Sequence, residues 1–128
     1  MHKNLTITSV LGILTIVLGA FGAHALKETL TIDQINSFET AVRYQMYHVI
    51  VLLFVNTYAG FSDRKKKHIS WLFFAGILLF SGSIYLIQLT SISAKSIWFV
   101  TPLGGLLFIL GWTIMGMNFL KKKSTKNS

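Results

Sequence analysis

The stretch Gly19-Ala20-Phe21-Gly22-Ala23-His24-Ala25-Leu26 closes an apolar run that begins near Leu5. Its reading decides how many helices the fold keeps. Ala23-His24-Ala25 has the small-x-small form of a signal-peptidase site, and a short basic N-terminus precedes the run. The same residues suit the packed end of a helix that stays in the membrane. Two features favour retention. The run is about 20 residues of apolar or small character, longer than the usual 7–15-residue core of a signal peptide. Gly12 and Gly19 stand seven apart, and Gly19 and Ala23 four apart, so small residues share one helix face. A discarded peptide has no need of a face that lets another helix approach closely.

The remainder of the chain sets the context. Of 128 residues, 52% are apolar and only 12% charged, and the charges are clustered. Long uncharged stretches between clusters are the signature of membrane spans, each needing about 20 apolar residues. A soluble bundle would need a polar face on every helix. Four stretches qualify, at about 5–25, 41–60 (with an amphipathic lead-in from Ile35), 69–89 and 97–120, followed by a basic tail at 121–128 expected to be solvated and disordered. The expected fold is all-α: a single integral membrane domain over 1–128, built as an antiparallel four-transmembrane-helix bundle. Short connections make neighbouring helices antiparallel.

Positive charge orients the chain. Lys3, Arg64, Lys65, Lys66, Lys67, Lys121, Lys122, Lys123 and Lys126 fall on one side, nine cations against Lys27, Arg43 and Lys95 on the other. Cations are retained in the cytoplasm, so both termini are expected there, in a multi-pass plasma-membrane protein. The net charge of +8 lies mostly in two short runs. These read as topology signals and contacts for anionic lipid headgroups rather than as a nucleic-acid surface. The chain has no cysteine, hence neither disulfide nor thiolate site.

Polar groups inside a span are costly and each needs a reason. Antiparallel threading gathers them in the outer half: His24 on the first span; Glu39, Arg43, Tyr44, Gln45 and His48 on the second; Ser81, Ser83 and Tyr85 on the third; Thr101 at the start of the fourth. Glu39 and Arg43 are spaced i, i+4 for a helical ion pair. Gln45 and His48 share a face that continues to Leu52 and Asn56. His48 is expected on the order of 8 Å inside the boundary, and Thr101 to cap a helix beginning at Pro102. The cluster is either a pocket near the outer face or a network that satisfies itself and holds the helices in register. Asn56 and Trp112 are the polar exceptions in the inner half. Gly12, Gly19, Ala23, Gly82, Gly104, Gly105 and Gly111 are expected at close helix contacts rather than in phosphate loops.

Four motifs in order, "GAFGAHAL", "TAVRYQMYHVIVLL", "FSGSIYL" and "TPLGGLLFILGW", resemble one family. It is the small bacterial YgdD/YwdK-type membrane proteins, related to transmembrane protein 256 and catalogued as a domain of unknown function (four hundred and twenty-three). The resemblance runs from about Leu11 to Trp112. It implies four retained helices and carries no established reaction, so no catalytic residue follows from it.

Two functional classes are weighed against each other. One is a non-enzymatic accessory or assembly protein, or a small oligomer, joined through its small-residue faces. The other binds or transports a small ligand, lipid headgroup or ion at the outer cluster. Against transport stands the lack of an inverted repeat. Two histidines could in principle ligate haem or metal, but no third ligand stands at metal spacing. No cofactor and no enzyme activity are expected.

Overall fold

A computed structural model describes residues 2–127, with side chains as far as Lys121. The described chain is all-helical: α1 (His2–His24), a 3₁₀ turn (Leu26–Glu28), α2 (Ile32–Thr57), α3 (Asp63–Leu89) and α4 (Val100–Asn127). Three segments are long and apolar enough to cross a membrane: His2–Glu28, Asp63–Leu89 and Val100–Lys121. The outward faces of α1 and α4 are greasy, with Ile13, Ile16 and Val17 on one and Leu106, Ile109 and Leu120 on the other, all exposed.

α2 is the helix that differs. It carries Asp33, Glu39, Arg43, Gln45, His48 and Asn56 and is not among the three apolar segments. It packs between two neighbours. α1 packs mainly on α2, α2 on α3, and α3 on α4. Contacts between successive helices pair residues in reverse chain order. Asn4 meets Asn56 and Gln45 meets Leu11; Ser70 meets Asn56 and Ser81 meets Ala41; Thr101 meets Ser83. Gln45, His48 and Asn56 of α2 are thereby covered by its neighbours, while Asp33, Glu39 and Arg43 stay exposed.

Helix starts differ from the hydropathy reading, and capping explains why. α2 begins at Ile32, well before residue 41. The Thr31 hydroxyl accepts from the Gln34 N–H (3.2 Å), and the Gln34 side chain accepts from the Thr31 N–H (2.9 Å), closing a capping box. α3 begins at Asp63 rather than 69, with the Ser62 hydroxyl accepting from the Lys65 N–H (3.3 Å). Arg64–Lys67 are therefore helical, not a loop, and Lys66 is buried while Lys67 is exposed. α4 begins at Val100, so Thr101 lies inside its first turn and does not cap at Pro102. The backbone of the basic tail continues α4 as far as Asn127, and Ser128 lies outside the described residues.

The α3–α4 seam is a reciprocal zipper. Phe108 of α4 sits over Gly76 of α3, while Phe73 of α3 sits over Gly111 of α4. At Gly104 a Cβ would stand 2.8 Å from the Leu79 carbonyl carbon and the Phe80 Cα, so backbone meets backbone. The same device joins α1 to α2, where a Cβ on Gly22 would strike the Phe38 ring at 2.7 Å. No glycine among the described residues has positive φ; these act through the missing side chain, which lets backbones close in.

Candidate functional site

Gln45 is 2% exposed and joins three helices. Its amide donates to the Leu11 carbonyl of α1 (3.1 Å), and its carbonyl oxygen accepts from the Tyr85 hydroxyl of α3 (2.7 Å). The Leu11 carbonyl also accepts from the buried Thr15 hydroxyl (2.6 Å). Ser81 donates to the Ala41 carbonyl (2.7 Å), and Ser83 and Thr101 share a hydrogen bond at 2.5 Å across α3 and α4.

His48 has both ring nitrogens engaged. Nε2 lies 3.1 Å from Trp112 Nε1, and Nδ1 lies 2.6 Å from the Tyr44 carbonyl. Indole N–H only donates, so Nε2 is the acceptor and Nδ1 carries the hydrogen. The ring stacks on Phe108 at a centroid distance of 3.7 Å. Because α2 starts at Ile32, His48 falls past the middle of this 26-residue helix. That brings it level with Trp112, a partner assigned to the inner half.

The remaining members of the expected cluster stand apart. His24, Glu39, Arg43 and Tyr44 are exposed. Among the described residues Arg43 forms no ion pair with Glu39; its guanidinium donates to the Thr40 hydroxyl (3.0 Å). Glu39 and Arg43 border a shallow depression of about 240 Å³ beside Gly19 and Phe38, and His24 does not line it. Tyr44 stacks on Phe80 at 4.8 Å. The ten residues thus form an exposed rim and several separate interhelical bonds, not one chamber. Among the described residues no buried side-chain nitrogen or oxygen lacks a partner, and no three His, Asp or Glu residues gather as a metal-binding set.

The small residues divide similarly. Gly12 and Gly19 face Val49 and Val42 of α2, and Gly104 and Gly111 face α3, so both glycine faces are used within the chain. Ala23 is exposed, and Gly105 has Phe80 no nearer than 3.9 Å. At Gly82 an added Cβ would meet nothing closer than Leu78 Cδ1 at 3.9 Å.

A recess lies at the opposite end from the expected cluster. A cavity of about 510 Å³ opens between the first turns of α1 and α3, bordered by Lys3, Asn4, Asp63, Lys66, Lys67 and Trp71, with Asn56 at its floor. Asn56 is fully buried: its oxygen accepts from Asn4 (3.1 Å), and its amide donates to the Leu52 carbonyl (2.9 Å) and the Ser70 hydroxyl (2.8 Å). The sequence held two signals of this place, the lysine run and an asparagine inside a span. Reading the run as a loop separated them.

A family model described as a protein of unknown function (DUF423) matches residues 18–105. The chain belongs to this family. Similar proteins include the UPF0382 membrane protein SAB0533 of Staphylococcus aureus (strain bovine RF122), 42% identical over 97 residues, 76% of this chain and 78% of the relative. A UPF0382 membrane protein of Haemophilus influenzae is 37% identical over 126 residues, covering 96% and 98% of the two chains. YwdK of Bacillus subtilis is 39% identical over 108 residues, covering 80% and 84%. No solved structure matches. The relatives' names place DUF423 proteins in membranes and specify no reaction, in keeping with the apolar helices of this member.

Proposed function

We propose that the chain is a non-enzymatic, four-span protein of the plasma membrane, an antiparallel bundle with both termini cytoplasmic. It acts by association within the bilayer, as an accessory or assembly protein or with a second copy of itself. The observation that carries this reading is the satisfied interior. Gln45, His48, Ser81, Ser83 and Asn56 are all spent on hydrogen bonds between or within helices, so none of these five is a free nucleophile beside a base. Crossing by α2 is supported by its position, since a polar helix can span where neighbours satisfy it. Orientation is supported by nine cations against three.

Association draws on α4, whose glycine faces are not all consumed: Gly116 has nothing within 4 Å of an added Cβ and sits near exposed Trp112 and Leu120. The chain has no native cysteine, so Gly116→Cys gives a clean crosslinking site. In native membranes a bifunctional thiol reagent of short span is expected to give a discrete larger species. A monomer alone, in membranes and in native nanodiscs, contradicts association. Ligand or ion handling by the outer cluster is the weaker reading, because its buried members bond one another.

A further inference from the structure

Beside the cavity at the inner end lies a second recess of about 450 Å³, walled by Leu11, Leu14, Leu18, Ile77 and Gly82, and Phe74 lines both. Gln45 and Tyr85 border this second part, but their polar atoms are bonded to each other, so the walls it offers are apolar. The two recesses follow one another along α1, the first polar and the second apolar. Taken together as one cleft, they extend about 22 Å from Lys3 to Leu18 at 1.5 Å per residue. Half a bilayer core is about 15 Å, so the cleft has room for a headgroup and the acyl chain below it.

The charge at the mouth selects the headgroup. Lys3, Lys66 and Lys67 border it against one carboxylate, Asp63. The first turns of α1 and α3 add the partial positive ends of two helices, and exposed Trp71 stands at the rim, where indole rings favour the bilayer interface. The geometry points to a binding site for one anionic phospholipid of the inner leaflet, its phosphate at the lysine mouth and one acyl chain in the α1–α3 groove. This rests on the orientation proposed above only for the choice of leaflet. The groove persists because α3 has a glycine where a larger residue would close it: Gly82 lines the recess, and a side chain there would enter open space.

Native mass spectrometry of the full-length protein in mild detergent, titrated with phosphatidylglycerol, phosphatidylcholine or inorganic phosphate, reads the site independently of membrane orientation. Phosphatidylglycerol is expected to bind as one retained molecule, about tenfold or more tighter than phosphatidylcholine, an effect in the range of two lysines at a membrane surface. The exposed pair Lys3→Ala/Lys67→Ala should bring phosphatidylglycerol down to the phosphatidylcholine level. Gly82→Leu should weaken both lipids while the melting temperature holds. Equal binding of the two lipids to the unaltered protein, phosphatidylglycerol retention unchanged in either variant, or inorganic phosphate binding as tightly as the lipid would each overturn the assignment. Reversed topology in a labelling experiment would move the site to the other leaflet and leave these titrations unaffected.

Discussion

His48 shows how a polar residue can be buried between helices with both of its ring nitrogens engaged. Its two nitrogens take one bond from Trp112 and give one to the Tyr44 carbonyl, and Phe108 covers its face. Trp112→Phe keeps an aromatic ring and removes the donor, leaving Nε2 in the interior without its partner. The expected loss is about 1–3 kcal/mol, read as a lowered melting temperature in detergent. Tyr85→Phe removes only the hydroxyl on Gln45 and is expected to cost about 0.6 kcal/mol, the average for a hydrogen bond between membrane helices. Gln45 and His48 were legible in the sequence as residues needing partners. Trp112 was not legible as one of those partners, because it and His48 were placed in opposite halves, and hydropathy does not fix which residues of two helices stand level.

At the scale of elements, the presence of four helices was legible and their starts were not. Hydropathy registers where a helix enters lipid; capping registers where its first N–H groups must be satisfied, which happens in water. The Thr31-x-x-Gln34 box was readable, yet it lies outside the apolar run. Thr31→Ala is expected to cost about 1 kcal/mol and to shorten α2 at its polar end, measurable by amide exchange. The α3–α4 zipper makes a sharper forecast. A methyl at Gly104 meets the backbone of Leu79 and Phe80 and cannot escape by changing rotamer. Gly104→Ala should destabilise by about 1–3 kcal/mol, as overpacking does, whereas Gly116→Ala, with open space around it, should leave the melting temperature unchanged. Of the α4 glycines expected at close contacts, Gly104 and Gly111 meet α3 closely and Gly105 does not; spacing gives a face and not its partner.

For the molecule as a whole, the charge pattern and polar threading give one consistent picture. The most polar helix, α2, is covered by α1 and α3, and the apolar faces of α1 and α4 look outward. The cluster was expected as one set of residues at similar depth, and the structure divides it into an exposed rim and several separate interhelical bonds. Depth is a single coordinate. It cannot say which residues point toward each other, and rotation about each helix decides that. The inner cleft escaped notice for the opposite reason: its lysines had a sufficient explanation as topology signals. The measurement that tests the account most directly is a thiol-accessibility scan on a chain without native cysteine. With an impermeant reagent, Lys95→Cys and His24→Cys should label from outside intact cells. Ala59→Cys should label only in inverted vesicles, and Gln45→Cys from neither side. Labelling of Ala59→Cys from outside, or of Gln45→Cys from either face, would contradict a four-span bundle with a closed, self-satisfied interior.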